Sequence, residues 1–417
     1  MTASVSVIAR RQVFYVEGYD PRGAEGYYDI FRRSWNRCRK VWHFEGRLGE
    51  LALDSDLIAH WDIEAAGPNW QVATRYEFLR LEGVIGANMA EPIWRQLARA
   101  IRWMAGDLVS GTTLRIFRAA WRFGLHLLYF QMLLWLWLWL ALASGWLAAL
   151  VAERWVSGPA AIAVGAGIAV ACFRLLRPLA DRLQVVQINS CWPYLREFAA
   201  GQASAFDAPI DAYAARIVAA ARADQSDEIV VVGHSAAGVT ACAVMARAFE
   251  LDPELGRRGP KIVLLTLGSV MPAAALHPAA RRMRAVIGRL ATEPSLTWID
   301  CVSRKDVMNF WGFDPVAGTG VDVGAERCNP LTWQVRFKEV VSPEYYRRLR
   351  LSFFRLHYQF IMSGDRPAPY DYLMLVAGPL AIAQWASHSH EMAAAFAPDG
   401  AFTGAREGVV AAAAARD

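Results

Sequence analysis

Residues Asp227 to Gly238 read DEIVVVGHSAAG, and Ser235 is the residue in this stretch that can do covalent chemistry. A serine hydroxyl is a weak nucleophile until a neighbouring base takes its proton. The apolar run Glu228 to Val232 predicts a strand, and Ala236 to Glu250 predicts a helix that begins at once after Ser235. A serine on so sharp a turn projects its hydroxyl above the strand ends. Strand and helix then pass closely, which asks for small residues two places either side. Here those are Gly233 and Ala237, with Gly238 one place late. Free N–H groups and the positive dipole end of the helix favour a developing anion. Plainer readings exist: G-x-S triplets arise by chance, and a Gly-rich strand-to-helix turn also binds phosphate. The Lys-Ser/Thr pair that a P-loop needs is absent here. His234 reads as a packing residue.

The surrounding elements alternate. A helix over Ile210 to Ala223 precedes the serine strand. After the serine helix come a strand at Ile262 to Leu267, a helix at Ala279 to Leu290, a strand at Leu296 to Val302 and a last strand at Trp333 to Val340. Short strands alternating with helices predict a parallel α/β sheet covered on both faces. The N-terminal piece supplies early strands: Val13 to Glu17, then extended segments at Val41 to Phe44 and Arg75 to Leu81, with a helix at Tyr27 to Arg39 between. An Arg-rich helix is expected over Pro92 to Phe123.

With strand, serine and helix in this order, the segment resembles the nucleophile elbow of the α/β-hydrolase superfamily. Ala237 stands where that pattern usually has its second glycine, a departure that keeps the side chain small. The resemblance implies a mostly parallel, doubly wound sheet and acyl transfer to water through an acyl-enzyme. It implies that the backbone N–H of Ala236 is one oxyanion donor. The second comes from a loop after an early strand, and Tyr19 in VEGYDP is the best-placed candidate. The superfamily's order is Ser, acid, His. Asp306 follows the strand LTWIDCV, with Val307 behind it as in lipases; Asp300 inside that strand is the second choice, and Asp314 lies further out. Asp306 also reads as a helix cap or a partner of Arg304 or Lys305. Among the downstream histidines, His277 precedes the acid strand, and His388 and His390 sit near the C-terminal tail. His357, in SFFRLHYQFIMSGD, is the assigned base. Its other reading is a core histidine beside Phe353, Phe354 and Phe360.

Between the two pieces, Met132 to Val151 runs for twenty residues without a charge, enough to cross a hydrocarbon core as a helix. Trp155 to Phe173 is a second, weaker run, in which Gly165 and Gly167 would let a neighbouring helix approach. Together they predict a transmembrane hairpin. Arg95, Arg99, Arg102, Arg115, Arg118 and Arg122 precede it, and Arg174, Arg177 and Arg182 follow it. The connecting loop holds only Arg154, beside Glu153. The positive-inside rule then puts both long flanks in the cytoplasm, where these arginines also meet anionic head groups.

Composition agrees with a soluble body carrying a few spans: 55% of the 417 residues are hydrophobic and mean hydropathy is +0.19. The 6 cysteines form no C-x-x-C pair and read as free thiols. No cofactor fingerprint or metal-ligand spacing is present, and arginines clustered at membrane flanks do not suggest nucleic-acid binding. The domain expectation is residues 1–123 as the first part of a hydrolase domain with a juxtamembrane helix, 124–176 as the hairpin, 177–390 as the second part, and 391–417 as a flexible tail. The Arg- and Ala-rich composition suggests a bacterial inner membrane. The functional expectation is a membrane-anchored serine hydrolase cleaving an ester, lipid acyl esters included. The alternative is an inactive α/β scaffold that binds partners at the membrane.

Overall fold

A computed structural model describes residues 7–404. Among them, nine strands form one mixed sheet: β1 (Arg10–Val16), β2 (Glu45–Leu48), β3 (Ala52–Leu53), β4 (Ile58–Gly67), β5 (Trp70–Leu79), β6 (Glu228–His234), β7 (Lys261–Leu267), β8 (Leu296–Val302) and β9 (Leu331–Gln334). Their order is β2-β4-β5-β1-β6-β7-β8-β9, with β3 paired to β4. From β5 through β9 every neighbouring pair is parallel. At the other edge, β4 runs antiparallel to β2, β3 and β5. The protein is therefore α/β with a mostly parallel mixed sheet.

Burial follows position in the sheet. Every residue of central β6 is buried, as its unbroken apolar run requires of a strand covered on both faces. In β4 the buried set alternates instead, through Ala59, Trp61, Ile63 and Ala65. A charged pair deep in this body joins β1 to β6. Arg11 meets Glu228 at 2.8 Å, and its remaining donors reach the carbonyls of Gly378 and Leu380. Such a pair fixes register, because removing either partner would strand a buried charge.

Several boundaries differ from the sequence expectation. Val41 and Trp42 end the helix Gly23–Trp42, and the strand begins only at Glu45. The Arg-rich segment is broken at Ser110–Gly111 and at Ala120, so it forms Ile93–Val109 and Thr112–Ala119 before the long apolar helix. The last strand stops at Gln334, and Phe337–Val340 is a helical turn. Part of the expected flexible tail lies within the described residues. Ser389–Ala394 is helical, and Phe402 is buried while the Gly400 carbonyl accepts from Trp70 Nε1 at 2.9 Å. The remainder of that tail, 405–417, lies outside the described residues.

The chain divides into two compact units: residues up to Gly86 together with those from Phe198 onward, and Ala87–Glu197. The inserted unit is thus longer than the expected 124–176. The reason is packing: Ala100 and Leu97 from the helix before the hairpin, and Val185 and Val186 from the helix after it, share a core with Leu134 and Trp137. Within this unit, Trp121–Ala152 and Gly158–Arg182 are long and apolar enough to cross a membrane. Only 22% and 11% of their most apolar windows are buried, whereas a core helix of a soluble protein would be mostly covered. The two helices touch at Gly145 and Gly165, where a Cβ on either would meet the other's carbonyl oxygen at 2.6 Å. Gly167, expected at the same contact, faces open space. Trp137 stacks on Phe173 with centroids 4.3 Å apart.

Candidate active site

β1 and β6 are parallel neighbours, with Val16 opposite Gly233. After β1 the chain turns towards β2–β5, and after β6 it turns towards β7–β9. Their outgoing loops diverge above the carboxyl ends of the strands, where open α/β sheets offer a crevice. The loop after β1 carries Gly18, Tyr19 and Asp20, and the turn after β6 carries Ser235.

Ser235 has φ of +57°, a left-handed conformation that costs a non-glycine residue about 1–3 kcal/mol. Its neighbours hold it there. The Ser235 N–H donates to the Leu267 carbonyl at 2.9 Å, and its own carbonyl accepts from Gly238 at 3.2 Å and Val270 at 3.3 Å. The helix Ala237–Leu251 starts two residues on. A Cβ at Gly233 would meet Ala241 Cβ at 2.6 Å, so strand and helix do pass in contact. A Cβ at Gly238 would meet Ser269 Oγ at 2.1 Å. The glycine that seemed one place late is therefore required, by the loop after β7. Even a Cβ added at Gly18 would stand 3.8 Å from Ala237 Cβ, so the Ala237 methyl group has room on that side.

Asp306 is buried in the loop after β8. One carboxylate oxygen accepts the Met308 N–H at 2.9 Å, and the other accepts Asn309 Nδ2 at 2.9 Å and His357 Nδ1 at 2.7 Å. With Nδ1–H committed to the carboxylate, the lone pair sits on Nε2. That nitrogen is buried and, among the described residues, has no hydrogen-bond partner. His357 belongs to the short helix Phe353–Tyr358, capped by Ser352. Its ring lies 4.4 Å from the ring of His234, next to Ser235 in the chain. A Cβ at Gly268, which follows the Leu267 that anchors Ser235, would stand 3.0 Å from His357 Cε1. His357 thus lies against His234, which precedes the serine, and close to Gly268, which follows the residue that anchors it. Hydrogen bonds of this kind are often unmade until substrate is present.

Asp300 points elsewhere. It accepts from Thr266 Oγ1 at 2.6 Å inside the sheet, where burial pushes its pKa up to about 6. Asp314 pairs with Arg327 at 2.7 Å. His277 Nδ1 accepts the Ala279 N–H of its own turn at 3.1 Å, and His390 reaches Glu339 at 3.5 Å. His234 is buried against His357; desolvation first, then that neighbour, hold its pKa well below the usual histidine value. It is a packing residue whose Nε2 contacts the His357 carbonyl at 3.2 Å.

In the loop after β1, the Asp20 N–H closes a tight turn onto the Gly18 carbonyl at 2.8 Å, which sets buried Tyr19 at the turn's centre. Ala236 follows Ser235 at the start of its helix, where backbone N–H groups lack intrahelical partners. Several contributors were not read from the sequence. Asn309 steadies Asp306 through its side-chain amide, while the Asp306 carboxylate accepting the Met308 N–H two residues on forms an Asx turn. Asp20 accepts a hydrogen bond from Tyr358, which only the folded chain brings near. Among the described residues, no three His, Cys, Asp or Glu side chains converge to hold a metal ion. Comparison of the chain with protein-family models, curated proteins and solved structures finds no match.

Proposed function

We propose that this chain is a membrane-anchored serine hydrolase of α/β-hydrolase type that cleaves an ester. The observation that carries the reading is the His357–Asp306 hydrogen bond, 2.7 Å long, which leaves a buried, unpartnered Nε2 beside the strained Ser235 turn. In the proposed reaction His357 Nε2 takes the Ser235 proton as Oγ attacks the substrate carbonyl. The imidazolium then gives that proton to the leaving alcohol, and an acyl-enzyme remains. Water, deprotonated by the same nitrogen, cleaves it and restores the serine. Asp306 holds the tautomer and offsets the imidazolium charge. The backbone N–H groups of Ala236 and Tyr19 are the proposed oxyanion donors, each worth about 3 kcal/mol in the transition state.

The hairpin supports the anchoring half of the reading. Two exposed apolar helices of 32 and 25 residues exceed the length a bilayer core demands. The arginine excess on their outer flanks favours a cytoplasmic catalytic unit, and an inner bacterial membrane fits that topology. Such an anchor tethers the site to a surface rich in acyl esters. The test is turnover of short p-nitrophenyl esters by the full chain in neutral detergent. Ser235→Ala and His357→Ala should each lower kcat on the order of 10⁴-fold. Full turnover by Ser235→Ala would overturn the reading in favour of another nucleophile. No turnover by the unaltered chain on any ester would favour an inactive scaffold.

A further inference from the structure

At the carboxyl ends of β8 and β9 lies a cavity of about 800 Å³ walled by Lys305, Lys338, Arg347 and Arg350. A second, of about 320 Å³, adjoins it and adds Arg304 and Arg336. Lys305 and Lys338 line both. The only carboxylates on these walls are Glu339 and Glu344. Six cations against two anions leave an excess of four positive charges around one small region, while the whole chain carries a formal +5. Among the described residues, Lys305, Lys338 and Arg350 form no ion pair, whereas Arg347 and Arg336 are partnered by Glu344 and Glu339. Concave walls of one sign focus the field on what enters.

The cavity also has an apolar side, from Leu356, Tyr346 and Pro343. Two of its lining residues are chain neighbours of the candidate machinery. Lys305 precedes Asp306, and Leu356 precedes His357. A volume of this order accommodates a small molecule. Several unpaired cations beside an apolar wall match an anionic head joined to an acyl-bearing body. We infer that this cavity binds the phosphate of a phosphate-bearing ester, so that the substrate class is anionic. The inference rests on the hydrolase reading for its word substrate, though not for the binding site itself. The phosphate belongs either to a lipid head group or to a soluble phosphorylated ester.

Titration calorimetry of the full chain in neutral detergent tests it. The probes are dibutanoyl phosphatidylglycerol, dibutanoyl phosphatidylcholine and glycerol 3-phosphate, all water-soluble. Phosphatidylcholine keeps the phosphodiester but cancels its charge. The unaltered chain should bind phosphatidylglycerol at least about tenfold more tightly than phosphatidylcholine, and Lys338→Gln with Arg350→Gln should erase about that factor. The charge-keeping pair Lys338→Arg with Arg350→Lys should restore it, which separates lost charge from lost folding. Glycerol 3-phosphate binding as tightly as the lipid would identify a soluble source, and much weaker binding a lipid one. Equal affinity of the unaltered chain and the Gln pair for phosphatidylglycerol, or no preference over phosphatidylcholine, would overturn the inference. Fluorophosphonate reaction at Ser235 is followed in the same samples. Labelling without charge-dependent binding leaves the hydrolase and removes the anion site; binding without labelling does the reverse.

Discussion

The hydroxyl of Tyr358 donates to the carboxylate of Asp20, which ties the residue after His357 to the loop after β1. Arg22 reinforces the tie. Its Nε lies 3.5 Å from Asp20, and its guanidinium carbon stands 4.5 Å from the centre of the Tyr358 ring. The two segments are 338 positions apart in the chain. One carries the proposed base and the other the proposed oxyanion donor, so their spacing matters to the proposed transition state.

Tyr358→Phe removes the donor and keeps the ring. Small misplacements of catalytic groups cost up to about 100-fold in rate. We expect kcat on a soluble ester to fall between about 10-fold and that limit, with KM little changed and Ser235 still open to covalent labelling. Unchanged kcat would show that Tyr358 only packs.

Asp306 and Asp300 separate by mutation. Asp306→Asn keeps the shape but removes the charge that fixes the His357 tautomer. A loss on the order of 10⁴-fold in kcat is expected. Asp300→Asn, in the sheet beside Thr266, should leave kcat within a few-fold of the unaltered chain. The reverse ranking in steady-state kinetics would reassign the acid.

The elbow makes a prediction about size. Gly238→Ala forces a methyl group onto Ser269, whereas Ala237→Gly only removes one that fits. Thermal unfolding should show Gly238→Ala destabilised by about 1–3 kcal/mol, the usual range for overpacking. Ala237→Gly should cost about 1 kcal/mol or less, from helix propensity at a helix start. A stable Gly238→Ala would mean that the loop after β7 yields.

What the sequence made legible follows from local rules. Glu228–His234 and its helix were readable because an unbroken β-branched run meets a small-residue turn. Asp306 and His357 were readable as positions in a chain order, and their contact is a property of the fold. β4 was missed because half of its buried face is alanine, Ala59 and Ala65, which weakens the alternation a strand would show. The inserted unit was drawn too short because Ile93–Val109 looks like a solvated Arg-rich helix, although Leu97 and Ala100 pack with the hairpin. Asp20 and Tyr358 left no local trace, since nothing in either segment specifies the other.

Glu17 offers a pH signature. It is buried at the end of β1, where desolvation pushes its pKa up to about 8 against an ordinary 4.5, with the Leu81 N–H hydrogen bond opposing the shift. The folded state then holds this proton more tightly than the unfolded one. The stabilising contribution is complete below pH 4.5 and is lost as pH rises through about 8. Glu17→Gln keeps an uncharged group there. Melting curves from pH 5 to 9 should show the variant close to the unaltered chain at pH 5 and more stable at pH 9. Parallel curves across that range would contradict the assignment.

The most direct test of the central claim is covalent. The full chain in neutral detergent is treated with a fluorophosphonate, and the modified residue is located by peptide mass mapping. Close to one adduct per chain is expected, on Ser235, with labelling abolished in Ser235→Ala and slowed by His357→Ala. No adduct on a folded chain, or an adduct on another residue that persists in Ser235→Ala, would contradict it.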